Sequence, residues 1–420
     1  MERRPLRLSA PVRPLVFGGR SIGRKLGREG LPDWAVAETW EVSDVEGNGS
    51  VVIGGPLAGR SLRSLVEEFP QELMGRGWRG AFFPLLTKFI DAEGALPVHL
   101  HPDDATAARV ENQAVGKTEA WHILQADPGA TALCGVREGV GRDQLHKALV
   151  AQDFDSVLRR LPVRAGETIY VPGGTLHSFG PRTLVHEIEQ TSDLQQHAMR
   201  WNMEDGSPVD DQQWRSNLEA LMAEVRLDSR PDFHTGLRIG VGDGVDRVFC
   251  CAGPHFALER WRAGTAEPLR RSFSTAQILT NVGPPVQVSA HGRSEELGRG
   301  RSLLLPAVME QVRIPGPADV LFGYLPDLAL DVREPLTAAG YSPRTHRLPG
   351  RGCVSTRPHR ARARSARAGS RSREPPTGVF RPGAGGSHTR KARRGPGTES
   401  GGSRCPHHHE RTRGHATAGI

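Results

Sequence analysis

Polar and apolar residues alternate over short distances through most of this chain. "AETWEVSDV", "EAWHILQA", "ATALCGV", "ETIYVPG" and "TLVHEIEQ" are short runs rich in β-branched and aromatic residues, and Gly or Pro punctuates the chain between them. A period of two reads as strand. "AFFPLLTKFIDAEGALPVHLH" reads as two strands joined at a turn around Glu93-Gly94. The same texture returns between 235 and 335, in "DRVFCCA", "FALERWR", "SFSTAQILT", "RSLLLPAV", "EQVRIPG" and "ADVLFGYL". Helical spacing is confined to three places. "SLRSLVEEFPQEL" predicts one early helix, "GRDQLHKALVAQDFDSVLRRL" one or two helices inserted among strands, and "DDQQWRSNLEALMAEVRL" a connector to a second unit. The expected class is mainly β with helical insertions. The expected divisions are a first β module over 1–205 with its insertion at about 141–161, a helical connector over 206–234, and a second β module over 235–341.

After about Tyr341 the character changes to Arg, Gly, Pro, Ser and His with almost no aliphatic residues. Such a segment cannot bury a core, so 342–420 is expected to be a disordered basic tail. Charge follows the same division. From Arg344 onward the chain holds 18 Lys and Arg against 3 Asp and Glu, a net +15, while the remainder holds 37 against 44, a net −7. The sequence pI near 9.7 therefore belongs to the tail. Repeated arginines bind phosphates, but a tail alone gives no specific nucleic-acid partner. "HHHE" at 407–410 carries no functional weight. No apolar run of about 18 residues exists to span a membrane, and the basic start lacks an apolar signal core. Five cysteines without paired spacing argue against a disulfide framework, and adjacent Cys250 and Cys251 read as small core residues. A cytoplasmic protein is expected.

The candidate chemistry begins at "LPVHLHPDD". On a strand His99 and His101 share a face, with Leu100 on the other. An isolated H-x-H is weak, but further donors follow: Glu119 in "GKTEAWHIL", then His177 after the turn in "GETIYVPGGTLHSFG". Strands that end in turns and present three imidazoles and a carboxylate inward suit a small antiparallel barrel around one divalent ion, with one or two positions left open.

This pattern resembles the cupin superfamily, and the flanking words resemble class I mannose-6-phosphate isomerases over most of the first 200 residues. The words are "FGGR", "ETWEVS", "GGPLAG", "FPLLTKFIDA", "HLHPDD", "GKTEAWHIL", "VPGGTLHSFG" and "EIEQTSD", in the family's order. The resemblance implies tandem cupin (jelly-roll barrel) modules, a helical insertion and one zinc site. It implies a small sugar phosphate as partner, with mannose 6-phosphate and fructose 6-phosphate interconverted; a homodimer is left open.

Carried over residue by residue, His101, Glu119 and His177 fall on ligand positions. His99 stands where the family usually has glutamine, and three His with one Glu is also a common cupin set for iron or manganese, so zinc, iron and manganese stay open. Lys117 falls on a functional lysine and Glu187 on an active-site glutamate. Phe17 stands where the family often has tryptophan, among the substrate-binding positions. His197 takes the place of the family's substrate-binding arginine, with Arg200 three residues on as its candidate replacement. Histidine can be a base or acid near neutrality, but it lacks arginine's bidentate grip on phosphate. The second module reads as degenerate, with Val308 near a ligand position. Two other readings remain open: a cupin metal enzyme of another class, such as an iron or manganese oxygenase, and a non-catalytic sugar-phosphate sensor.

Overall fold

The structure, a computed structural model, describes residues 1–240, 244–264 and 267–342. The expected disordered tail and its "HHHE" lie outside the described residues. Eleven strands make the first barrel: β1 (Val12–Arg13), β2 (Glu38–Val42), β3 (Leu85–Ala92), β4 (His99–Leu100), β5 (Glu119–Ala126), β6 (Thr131–Val136), β7 (Leu158–Pro162), β8 (Thr168–Val171), β9 (His177–Phe179), β10 (Thr183–Gln190) and β11 (Gln196–His197). They form two sheets, ordered β1-β2-β3-β10-β5-β8 and β11-β4-β9-β6-β7. Ten more make the second: β12 (Leu237–Gly240), β13 (Val245–Ala252), β14 (Ala257–Ala263), β15 (Leu269–Ser272), β16 (Gln277–Asn281), β17 (Val286–Ala290), β18 (Arg293–Leu297), β19 (Arg301–Leu305), β20 (Gln311–Ile314) and β21 (Ala318–Tyr324). Their orders, β12-β13-β14-β21-β16-β19 and β15-β20-β17-β18, repeat the first arrangement. The chain is a tandem cupin.

Two expectations change in detail. The early helix is two, Leu62–Glu68 and Pro70–Met74, because Pro70 has no N–H to donate and its ring disfavours a helical residue before it. The insertion folds as Arg142–Val150 and Phe154–Val157. "LRRLP" then leaves it as β7, where pairing with β6 (Ala132 opposite Leu161) overrides the helical spacing. The connector forms as Asp211–Glu224, capped by the Asp210 carboxylate accepting from the Gln212 and Gln213 N–H groups at 2.9 Å. Its Trp214, Leu218 and Leu221 pack with Val98 and Leu100, which backs the strand that carries His99.

Strand alternation decides what each face meets. Along β5 and β10, Trp121, Ile123 and Val185 join the core inside the first barrel. Ala120, Leu184 and Ile188 point outward and join a core shared with Cys250, Cys251, Leu258, Ile278 and Leu321 of the second barrel. The barrels therefore touch through sheet faces, and Gly323 permits the contact: a Cβ there would lie 2.8 Å from Ile188 Cδ1. Two histidines share this outward face. His122 bonds Thr168 Oγ1 at 2.9 Å and lies 3.2 Å from Arg260 of the second barrel. His186, its cross-strand neighbour, is 1% exposed, stacks edge-on against Phe89, and has no hydrogen-bond partner among the described residues.

Burial pushes the His186 imidazole down to about 3. An unfolded chain takes up that proton below about pH 6.5 while the folded one does not, so stability is present above pH 6.5 and is lost as pH falls toward 3. His186→Leu should flatten this acid slope: the melting temperature lost between pH 7.5 and pH 5 should shrink in the variant, measured by calorimetry.

The second barrel keeps the ladders and changes the donors. Strand register makes the comparison. Glu119 faces Glu189 across β5–β10, and Gln277 faces Tyr324 across β16–β21. Lys88 faces Glu187, and Glu259 faces Phe322. His99 faces His177, and Arg271 faces Val312. Val312, and not Val308, thus stands at the place of His177; Val308 sits in a short 3-10 turn that lengthens the loop. At the barrel's centre the Arg271 guanidinium reaches Glu259 at 3.0 Å and Gln277 at 3.1 Å, while Tyr324 donates to Glu259 at 2.6 Å. An internal arginine supplies the positive charge, and no cluster of metal-binding groups forms there among the described residues.

Candidate metal centre

Two close approaches aim the first histidine pair. His101 lies just past the end of β4, and the chain at Pro102–Asp104 packs against both the "GKTE" and "VPGG" segments. A Cβ on Gly116 would come within 2.4 Å of the Pro102 carbonyl, and one on Gly173 within 2.5 Å of the Asp103 nitrogen. Glycine at both positions lets three segments meet. The Gly174 N–H then donates to the His101 carbonyl at 2.6 Å and the Lys117 N–H to the Pro102 carbonyl at 2.9 Å.

The result brings His99, His101 and His177 together with Glu119, all buried. Each imidazole gives its Nδ1 to a main-chain carbonyl: His99 to Pro97 at 2.8 Å, His101 to Leu194 at 2.7 Å, and His177 to Thr175 at 2.8 Å. An Nδ1–H donating there leaves a lone pair on every Nε2, and the three Nε2 atoms face inward. His99 Nε2 and His177 Nε2 stand 3.0 Å apart, and neither carries a proton to share. Glu119 lies 3.1 Å from His101 Nε2 and 3.2 Å from His177 Nε2. Burial pushes His99 well below the usual imidazole range and His101 down to about 3, so both are neutral at pH 7. Burial opposes charge on Glu119, but the carboxyl is held well below the usual range, with the Lys117 ammonium 3.5 Å away favouring the ionised form. Three imidazoles with their Nδ1 atoms engaged by carbonyls, and one carboxylate beside them, fit a divalent ion.

Around this point lies a cavity of about 350 Å³. Of the expected site residues, Phe17, Lys117, Glu187 and His197 line it beside His99 and Glu119. Arg200 does not: its guanidinium lies 3.8 Å over the Trp214 ring and 3.4 Å from Asp211, on the outside. His197 pairs with His99 across β11–β4, and its Nε2 has no partner among the described residues. Burial holds it below the usual imidazole range. Burial, with Glu189 and Glu119 nearby, raises Glu187 well above the usual carboxylate range, so it keeps its proton. Trp121 Nε1 donates to Glu119 at 3.0 Å and to Glu187 at 2.9 Å, tying the two together.

Sequence reasoning missed Lys88. It is buried and reaches Glu189 at 2.9 Å, Glu187 at 3.4 Å and Glu38 at 4.0 Å. Burial works against its charge, but Glu189, Glu38 and Glu187 together hold it well above the ordinary lysine range. The signal was there: a lone cation in the apolar run "LLTKFI". Trp40 and Arg13 on the same wall were also missed, and neither stands out in sequence.

No family model matches the chain. Curated relatives do. The mannose-6-phosphate isomerase of Streptococcus mutans is 28% identical over 323 residues, covering 76% of this chain and 97% of the relative. Mannose-6-phosphate isomerase ManA of Bacillus subtilis is 26% identical over 326 residues, covering 77% and 100%. In structure the chain matches the mannose 6-phosphate isomerase of Bacillus subtilis with a TM-score of 0.69 at 24% identity, over 76% of this chain and 99% of that one. The chain is thus similar to mannose-6-phosphate isomerases over nearly their whole length, and it shares the fold of the solved one.

Proposed function

We propose that this chain is a metal-dependent aldose–ketose isomerase that interconverts mannose 6-phosphate and fructose 6-phosphate or a closely related sugar phosphate. The observation that carries the proposal is the convergence of the His99, His101 and His177 side chains with the Glu119 carboxylate, two of which, His99 and Glu119, line the cavity. His99, His101, His177 and Glu119 would hold the ion, with zinc as the proposed metal. Bound there, a divalent ion supplies Lewis-acid polarisation of the sugar's carbonyl and hydroxyl oxygens.

The chain's own residues handle the protons. Isomerisation moves one proton between C2 and C1 through an enediol. His197, neutral and with a free Nε2 at the cavity wall, takes the proton from C2 and returns it to C1. Glu187, protonated beforehand, gives a proton to O1 and recovers one from the O2 hydroxyl as the ketose forms. Lys117 offers an ammonium group to a sugar oxygen as charge builds on it.

The test is formation of fructose 6-phosphate from mannose 6-phosphate by the zinc-loaded chain under nitrogen. Turnover without oxygen is expected, with solvent deuterium appearing at C1 of the ketose. A folded, metal-loaded chain that turns over nothing contradicts the reading, and turnover only in oxygen points to the oxygenase class.

A further inference from the structure

Three cations line the cavity, and carboxylates answer only two of them. Lys88 is held by Glu187, Glu189 and Glu38; Lys117 lies 3.5 Å from Glu119 and 2.9 Å from Glu189. The third is Arg13, half-buried on the edge strand β1. In the β1–β2 register its partner is Glu38, the natural counter-ion. That carboxylate is engaged elsewhere, accepting from Trp40 Nε1 at 2.8 Å and facing Lys88. Arg13 forms no ion pair with any described carboxylate.

What Arg13 does have is a fixed orientation. Its guanidinium lies over the Trp40 ring, 4.7 Å from the centroid, and one Nη donates to Asn48 Oδ1. The ring sets the guanidinium plane and the amide sets one edge. The other N–H donors of the fork remain, and Asn48, also on the cavity wall, keeps its own Nδ2 donors because its oxygen is the atom engaged. A cationic fork, oriented in advance and without an anion, suits a tetrahedral oxyanion.

Its place in the sheet gives it a direction. Along β1-β2-β3-β10-β5, Arg13 stands on the first strand and Glu119 on the fifth, with Lys88 and Glu187 on the third and fourth. Neighbouring strands are about 4.8 Å apart. A hexose 6-phosphate has its reacting carbons and its phosphate at opposite ends, as the wall has its metal-binding groups and its free cation.

We infer that Arg13, backed by Trp40 and Asn48, is the anchor for the phosphomonoester end of the substrate. The inference deepens the proposed function and rests on it for the identity of the sugar. It assigns the phosphate grip to an edge strand before Phe17, and not to Arg200, which lies outside the cavity. Arg13 is a substrate-binding residue in this account, remote from the bonds that change.

The experiment uses the full, zinc-loaded chain and two probes. Inorganic phosphate binding is measured by calorimetry, and kinetics are measured with mannose 6-phosphate and with unphosphorylated mannose. Arg13→Ala should weaken phosphate binding and raise KM for mannose 6-phosphate by roughly 10- to 100-fold, with kcat and the rate on mannose little changed. Arg13→Lys should recover only part, since a point charge lacks the fork. Arg200→Ala should leave both readouts at the wild-type value. If the wild type binds phosphate through Arg13 but isomerises nothing, the sugar assignment fails and the anchor stands. Phosphate affinity unchanged in Arg13→Ala, no phosphate binding by the wild type, or an equal loss on mannose would each overturn the anchor.

Discussion

His177→Ala should lower mannose 6-phosphate turnover by on the order of 10³ or more, and it should do so by losing the metal. His177 touches two of the other proposed ligands, at 3.0 Å from His99 Nε2 and 3.2 Å from Glu119. Its ring is held in one tautomer by the Thr175 carbonyl, so it loses little freedom on binding an ion. The variant keeps the barrel, because His177 pairs with its neighbouring strands through its main chain and not its ring. Zinc content by atomic absorption, measured beside the rate, distinguishes the causes. Full metal occupancy with full activity loss would move His177 from ligand to another role.

The second large effect is expected at Lys88. Lys88→Met fills the space but leaves Glu187, Glu189 and Glu38 facing one another with Lys117 as the remaining nearby ammonium. Removing one partner of a buried charge cluster typically costs about 3–5 kcal/mol. The urea midpoint should fall accordingly at pH 7.5. The sign with pH then follows. Without Lys88, the excess carboxylate of the cluster is relieved by a proton bound at a raised value in the folded state and released by the unfolded chain. That contribution is present at low pH and is lost as pH rises through the raised value. The variant should therefore lie closer to the wild type at pH 5 than at pH 7.5; a gap that is constant with pH would contradict the charge account.

The residues that spoke in sequence were those with their own punctuation. His99, His101 and His177 sit beside proline and glycine turns, and "GKTE" carries its own glycine; Gly116 and Gly173 prove to be contact points with no room for a Cβ. Strand alternation was legible for the same local reason, down to Glu187 and Glu189 sharing a face. Lys88 and Arg13 were not, because what defines them is which carboxylates reach them, and that depends on β1, β2, β3 and β10 lying side by side from distant parts of the chain. Arg200 misled because spacing along the chain does not say which way a side chain leaves β11: it turns out onto Trp214. The second barrel shows the same limit. "LPAVMEQV" suggests a ligand place at Val308, but the strand pairing with Arg271 puts it four residues on, at Val312.

The most direct test of the account is a titration of metal-free protein with zinc while mannose 6-phosphate turnover is followed. Turnover should be absent at the start, rise linearly, and saturate at one zinc per chain. Full turnover by protein shown to be free of metal, or zinc taken up at this site with no turnover at any ratio, would contradict it.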